Sequence, residues 1–293
     1  MELNKVHNLD FLNNDLPDKC AKLIIADPPY YKTKGDFDFI WKTFEDYLID
    51  VEKWCLECKR ILADNGTLLW YGHAKRIAYA QIIFDKHFNL ENNIGIEFNR
   101  QTKKSVEHLN CFAPVSERLL MYSKIENYLF FRTYLREKRI AKGYTIKQVA
   151  EKMGVYQALY GFYEQDNTGS QIPTEEQYNK LVHILGLDVE YSAVARCFNN
   201  FKKLFDIMSF DQEAHITGKY DHDTVKPETL TRALILTCSR KNDLIVVPFS
   251  GSGTEVAMSA KEKRPFIGYE ITKKHALISQ ARANKILTEP TIF

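Results

Sequence analysis

Leu23-Ile24-Ile25-Ala26 is a continuous aliphatic run that meets Asp27-Pro28-Pro29-Tyr30 with no polar alternation before it. Such a run, bounded by turn residues, predicts a parallel strand covered on both faces, with Asp27 at its carboxyl end. Ligands of open α/β sheets bind at that end. The two prolines fix φ and cannot donate to a ladder, so the chain leaves the strand stiffly with its carbonyls available as acceptors. A rigid set of acceptors beside one aromatic ring suits a planar amine. Asp27 and the Pro28 carbonyl can take the two hydrogens of an NH2 group while Tyr30 stacks on the ring that carries it. Read alone, the same residues are also compatible with a proline turn after an ordinary strand.

The remainder of the chain alternates strand and helix. A short strand over Leu3 to Leu12 ends in Asp10-Phe11, and Asp10 is either a ligand-facing acid or a helix N-cap. A polar loop, Tyr31 to Asp36, follows the proline motif. Apolar residues at Trp41, Phe44, Leu48, Val51, Cys55 and Cys58 predict an amphipathic helix over Phe39 to Leu62, ended by Asp64-Asn65-Gly66. Strands are expected at Thr67 to Tyr71, Ile94 to Phe98 and Arg118 to Tyr122, with a helix over Ile77 to Phe88. Phe98 is a strand residue and a candidate second wall for the amine slot. The pattern is that of a doubly wound sheet.

From Arg132 the pattern becomes helical. Thr145 can cap a helix Ile146 to Met153, Gly154-Val155 turns the chain, and a second helix follows over Tyr156 to Glu164. The stretch Leu135 to Leu187 resembles the helix-turn-helix of small DNA-binding domains, although Tyr156, Tyr160, Phe162 and Tyr163 make the second helix unusually aromatic and Asp166 to Ser170 replaces a short loop. The alternative is a helical insert that only supports the core. Between Arg100 and Lys147 eleven Lys or Arg stand against four Glu, although the whole chain carries only +2. Arg100, Lys103, Lys104, Arg136, Lys138 and Arg139 are the candidate phosphate contacts, set against the plainer reading of solvated helix faces. Tyr191 to Met208 returns to helical spacing.

The last part re-enters the α/β pattern: helix Glu228 to Thr237, strand Asp243 to Val247, helix Thr254 to Lys261, strand Phe266 to Tyr269, helix Lys273 to Ile286. Pro248-Phe249-Ser250-Gly251-Ser252-Gly253-Thr254 joins the first of these strands to its helix, the context of a nucleotide-type cofactor loop. The glycines allow close backbone approach and the helix N-terminus favours a carboxylate or phosphate. Glu270 ends the next strand, where an acid can accept from both ribose hydroxyls. Val256 occupies the third-glycine position of a dinucleotide loop, and after Gly253 the chain has Thr254 and Glu255 where a P-loop needs Lys followed by Ser or Thr. Both cofactor types are disfavoured, and S-adenosylmethionine fits better, its ribose at Glu270, its amino acid end at the glycine turn and its adenine near Phe249 and Asp10.

The order Asp-Pro-Pro-Tyr first, recognition region next and Phe-x-Gly-x-Gly last resembles the class β, circularly permuted, DNA amino-methyltransferases of bacteria and phage. The resemblance covers residues 1 to 125 and 215 to 286. It implies a methyltransferase-type, Rossmann-like, mostly parallel seven-stranded sheet with a small all-helical insert, divided as residues 1–125 (the half with the amine-accepting motif), 126–214 (the target recognition insert) and 215–293 (the cofactor half). By this resemblance Asp27, Pro28, Pro29 and Tyr30 are catalytic. Asp10, Phe11, Asp27, Lys226, Pro248, Phe249, Gly251, Ser252, Gly253, Thr254 and Glu270 hold S-adenosylmethionine, leaving S-adenosylhomocysteine as product. His222, Lys226 and Pro227 have the spacing of the family segment that touches the cofactor through its backbone. Three departures stand out: Val247 where many members have Asp before the Pro-Phe pair, Asp223 for a common proline, and Glu255 for a common threonine.

The implied activity is methylation of the N6 amino group of an adenine swung out of duplex DNA, without a metal. An acid at the first motif position is commoner in the adenine enzymes and serine in the cytosine ones, so cytosine N4 remains the alternative. Other readings are an inactive DNA-binding regulator on the same fold, or an RNA or protein methyltransferase. Expected partners are double-stranded DNA, a second copy of the chain and a companion restriction endonuclease. No run of eighteen apolar residues and no signal-peptide pattern is present, so a cytoplasmic protein of bacterial or phage origin without membrane attachment is expected. Cys55-x-x-Cys58 lies within a helical pattern and lacks a second ligand pair, which favours core thiols over a metal site.

Overall fold

The computed structural model describes residues 1–33, 39–99, 110, 112, 116–165, 172–211 and 225–288. Two compact units emerge. One comprises Met1–Ser123 with Cys197–Phe293, the other Lys124–Arg196. The sequence reading instead extends the insert to residue 214.

Among the described residues the first unit contains one eight-stranded sheet, one strand more than expected. Its strands are β1 (Lys5–His7), β2 (Ala21–Ala26), β3 (Leu62–Gly72), β4 (Asn89–Asn99), β5 (Ser116–Ser123), β6 (Ile207–Asp211), β7 (Ile245–Val247) and β8 (Phe266–Tyr269), in the order β1-β8-β7-β2-β3-β5-β4-β6. All pairings are parallel except those of β5, which runs against both β3 and β4. The helices are α1 (Phe44–Ile61), α2 (Ile77–Phe84), α3 (Ile125–Ala141), α4 (Ile146–Met153), α5 (Gln157–Glu164), α6 (Glu175–Leu185), α7 (Tyr191–Val194), α8 (Glu228–Cys238), α9 (Thr254–Lys261) and α10 (Lys273–Thr288). None of them is long and apolar enough to cross a membrane.

The central strand β2 explains why its sequence carries no polar alternation. Ile24 and Ala26 join the core beneath α1 and α2, with Trp54, Ile61, Trp70 and Phe84. Leu23 and Ile25 face the opposite core, with Leu234 of α8, Val256 of α9 and Ala283 of α10. Both faces are dry, as a parallel strand in the middle of a sheet requires. Cys55 and Cys58 are buried thiols of α1.

Three local expectations change. The helix α1 starts at Phe44 rather than Phe39, because Thr43 and Asp46 form a capping box there. Asp64-Asn65-Gly66 does not separate helix from strand. It is absorbed as an irregularity within β3, where the register with β2 shifts between Ala21 paired with Leu62 and Leu23 paired with Thr67. The helix expected over Tyr191 to Met208 shrinks to the single turn α7, and β6 becomes the edge strand beside β4. The periodic aromatics of that stretch, Phe198, Phe201 and Phe205, are 50%, 45% and 79% exposed, so no core supports a helical face. Asn200 instead accepts from the Leu204 amide and donates to its carbonyl, fixing a turn.

The second unit packs Phe131, Leu135, Val149, Met153, Tyr160, Tyr178 and Leu181 into its own core. A Thr145/Gln148 capping box opens α4, and Gly154 closes it in the left-handed conformation, with φ of 71°, before α5 begins. Two eight-residue helices joined by a glycine turn are thus present as expected. Tyr160 and Tyr163, which made α5 look too aromatic for a groove reader, are core residues, while Tyr156 is 87% exposed.

Candidate active site

Adjacency of β2 and β7 brings the two sequence motifs together. Leu23 pairs with Ile245 and Ile24 with Val246. The Asp-Pro-Pro-Tyr motif and the glycine bend therefore leave neighbouring strand ends in the same direction. After β2 the chain crosses through α1 to β3 on one side of this pair, and after β7 it crosses through α9 to β8 on the other. This is a topological switch point, where a crevice opens by construction.

A cavity of about 190 Å³ occupies it. Asp10, Phe11, Asp27, Pro28, Pro29, Tyr30, Lys226, Pro248, Phe249, Gly251, Ser252 and Glu270 all line it. Gly253 and Thr254, also expected at the site, are not among the residues that line it. Gly253 has a φ of 82° and approaches α10 so closely that a Cβ there would stand 2.6 Å from the Ser279 Cα. Gly253→Ala is expected to cost several kcal/mol, because it combines a left-handed backbone with a clash against main chain. Urea unfolding measures it, and a loss below about 1 kcal/mol would show that α10 yields.

Asp10 fills the capping role. Its Oδ1 accepts from the Leu12 amide at 2.9 Å, capping a short 3-10 turn (Phe11–Asn13), and the residue also lines the cavity. Phe249 is held edge-on by Trp54 at 5.0 Å and by Phe11 at 6.2 Å, which makes a fixed aromatic wall. Glu270 is oriented by two amides, with Gly251 donating to Oε2 at 2.9 Å and Thr272 to Oε1 at 2.8 Å.

The charge arrangement around Asp27 was not legible beforehand. Lys226, expected to act through its backbone, extends its buried ammonium to Asp27 Oδ1 and Glu117 Oε2, each at 3.0 Å. The Tyr30 hydroxyl donates to the same Asp27 Oδ1 at 2.5 Å and lies 3.4 Å from the ammonium. Among the described residues both of these partners converge on Oδ1. Burial by itself would lower Lys226. The Asp27 and Glu117 carboxylates outweigh it and hold the ammonium above its usual range. Burial, then Asp27, pushes the Tyr30 phenol up, so it remains a neutral donor.

Glu117, Glu255, His275, Ile271 and Thr272 also line the cavity and were not expected to. Glu117 could have been found only by knowing that β5 runs antiparallel beside β3, which returns its first residues to the carboxyl ends of the parallel strands.

The candidate phosphate contacts divide. Arg100, Lys103 and Lys104 lie outside the described residues, as do His222 and Asp223, and nothing is described of the Phe98 side chain. Arg139 is corrected. Its guanidinium makes a bidentate pair with buried Glu164, Nε to Oε1 at 2.8 Å and Nη2 to Oε2 at 2.8 Å, and donates to the Tyr144 carbonyl. That pair holds the helical core and leaves no fork for a phosphate. Arg136 donates to the Glu164 carbonyl, and Lys138 pairs with exposed Asp188 at 2.9 Å.

The residues present fit a cationic nucleoside cofactor: an aromatic wall, an acid at the end of β8, and a buried carboxylate oxygen, Glu255 Oε1, without a partner among the described residues. One antiparallel strand in a parallel sheet, with this cavity at its switch point, defines the S-adenosylmethionine-dependent methyltransferase class. The chain belongs to the N6/N4 DNA methylase family, described as DNA methylase, whose pattern matches residues 21–281.

Among similar proteins, the orphan methyltransferase M.BamHII of Bacillus amyloliquefaciens is 38% identical over 284 residues, covering 92% of this chain and 91% of its own. The DNA adenine methyltransferase YhdJ of Escherichia coli is 25% identical over 267 residues, covering 89% and 75%. Two solved structures share the fold. The cytosine-N4-specific PvuII DNA methyltransferase has a TM-score of 0.60 at 12% identity, over 97% of this chain and 93% of its own. The M1.HpyAVI complex with S-adenosylmethionine has a TM-score of 0.58 at 16% identity, over 96% and 98%. The chain is thus an S-adenosylmethionine-dependent DNA methyltransferase of a family that includes adenine-N6 and cytosine-N4 members.

Proposed function

We propose that the chain methylates the N6 amino group of an adenine flipped out of duplex DNA, with Asp27, Pro28, Pro29 and Tyr30 as the amine-accepting wall. The observation that carries this reading is the placement of those four residues on the same cavity as the glycine bend and Glu270. An amino nitrogen conjugated with a purine ring is a poor nucleophile, because its lone pair is delocalised. Asp27 and the Pro28 carbonyl, by accepting its two hydrogens, favour a tetrahedral nitrogen whose lone pair is directed at the methyl donor. S-adenosylmethionine supplies the electrophilic methyl group when bound. The protein contributes alignment and fixed charge, with no covalent protein intermediate. Tyr30 is suited to stack on the base because its hydroxyl is tied to Asp27 and its ring is thereby held. Stacking partly offsets the few kcal/mol needed to unstack the base.

Adenine is favoured by an acid at the first motif position and by the 25% likeness to a named adenine enzyme. Cytosine N4 is the second reading, supported by the fold shared with a cytosine-N4-specific enzyme. Mass analysis of nucleosides from DNA treated with the protein separates them. N6-methyladenine is expected, and N4-methylcytosine alone would overturn the adenine reading.

The helical unit Lys124–Arg196 is proposed to address the enzyme to its target, through the exposed start of α5 at Tyr156 and Gln157 and through Arg136 and Lys138 as backbone contacts.

A further inference from the structure

Among the described residues five carboxylates line the cavity, and four of them are engaged. Asp10 caps its turn, Asp27 and Glu117 share Lys226, and Glu270 holds two backbone amides. Glu255 differs. It lies in the first turn of α9, immediately after the glycine bend, and is 4% exposed, and its Oε1 has no hydrogen-bond partner among the described residues. Burial, reinforced by the Asp27 carboxylate, pushes it up to about 7, while its own backbone amide, Lys226 and Arg282 pull the other way. The neighbouring Ser250 Oγ, on a residue 1% exposed and also on the cavity wall, is likewise without a partner.

Two orphaned buried acceptors on one cavity wall cost the empty protein stability, since neither finds a donor. A ligand that brings N–H groups into the cavity repays that cost. S-adenosylmethionine carries two positive centres. Its sulfonium has no hydrogen to donate, whereas its α-ammonium has three. We propose that Glu255, assisted by Ser250, is the acceptor for the α-ammonium group of S-adenosylmethionine. The inference rests on the family's use of that cofactor and not on which base is methylated. It also accounts for an acid in the first turn of α9, on a chain with Val247 before the Pro-Phe pair.

Binding of an ammonium draws the proton from Glu255. Affinity for the cofactor is therefore lower at about pH 6 than at about pH 7.5, because the proton competes below the carboxyl's raised value. The charged groups facing Glu255 are Asp27, Lys226 and Arg282. Tyr71 also faces it, as a neutral phenol pushed up by burial.

The test is calorimetric titration of the full chain with S-adenosylhomocysteine, with its analogue lacking the α-amino group, and with S-adenosylmethionine. Glu255→Gln is expected to weaken S-adenosylhomocysteine and S-adenosylmethionine by a similar factor, about tenfold or more. The analogue should be affected less than about twofold. Equal weakening of the analogue, or unchanged binding of S-adenosylhomocysteine, overturns the proposal. A loss confined to S-adenosylmethionine would place the carboxylate at the sulfonium and overturn it too. Melting of the unliganded variant at about pH 8 supplies an independent readout: Glu255→Gln, and Glu255→Met as a second variant of similar volume, should melt at or above the wild-type temperature. Lower melting without selective loss of affinity would assign Glu255 a structural role instead. Wild-type protein that binds none of the three ligands would refute the use of the cofactor itself, a different failure.

Discussion

Asp27→Ala is expected to lower methyl transfer by about a thousandfold or more, the scale of removing a preorganised group from the reacting centre. Binding of S-adenosylhomocysteine should change by less than about threefold. The expectation follows from what remains. Glu117 still pairs with Lys226, so the buried ammonium keeps a counter-charge, and Glu270 stays oriented by the Gly251 and Thr272 amides. Asp27 also raises Glu255, so its removal makes that carboxyl easier to ionise and does not weaken the hold on a cationic cofactor. Asp27→Asn is the sharper variant, because it preserves the shape of the side chain while replacing one acceptor with a donor aimed at the amine. Turnover near the wild-type rate in single-turnover assays of either variant would remove Asp27 from the chemistry.

Lys226→Met is expected to destabilise the protein by about 3–5 kcal/mol at pH 8, as removal of one partner from a buried ion pair does. It leaves Asp27 and Glu117 without their shared cation, and it deprives Glu255 of one group that lowers it. The sign of the pH dependence is fixed by that loss. Carboxyls whose folded values are raised contribute stability that is present below their unfolded values and lost as pH rises through the raised ones. The deficit of the variant should therefore narrow on going from about pH 8 to about pH 5.5. In the wild type the lysine itself is raised, so its contribution persists across that window and fails only in strong alkali. Melting temperatures at the two pH values decide the matter, and an equal deficit at both would refute the shared-cation account.

What could be read from the sequence was whatever a local rule enforces. Leu23 to Ala26 announced a doubly covered strand because both of its faces are dry, and Phe249 to Gly253 announced a tight bend because glycine is needed at 253 on conformational and steric grounds. The alternation of strand and helix followed from the same periodicities.

What escaped depended on pairings far apart in the chain. Glu117 reaches the cavity only because β5 is reversed, and the Lys226 side chain turns inward only because two acids already wait there. Arg139 looked like one more member of a basic run. The residue that claims it, Glu164, lies twenty-five positions later on another helix. The stretch after α7 had helical spacing, but its aromatics Phe198, Phe201 and Phe205 stay exposed instead of forming a buried helical face. Glu255 read as a departure from a family pattern, and its isolation was visible only with the cavity built.

The pairing of β2 with β7 has a consequence for how the protein is made. During synthesis β2 can gain β3 within a few seconds, at roughly 5–20 residues per second. Its other edge has to wait for Ile245 to Val247, more than two hundred residues later. Throughout that delay a bare aliphatic edge, the most adhesive surface a nascent sheet can present, is open to any other unfinished chain. The crevice between β2 and β7 is thus among the last parts of the molecule to close, and synthesis that stops after the helical unit leaves a fragment prone to clump.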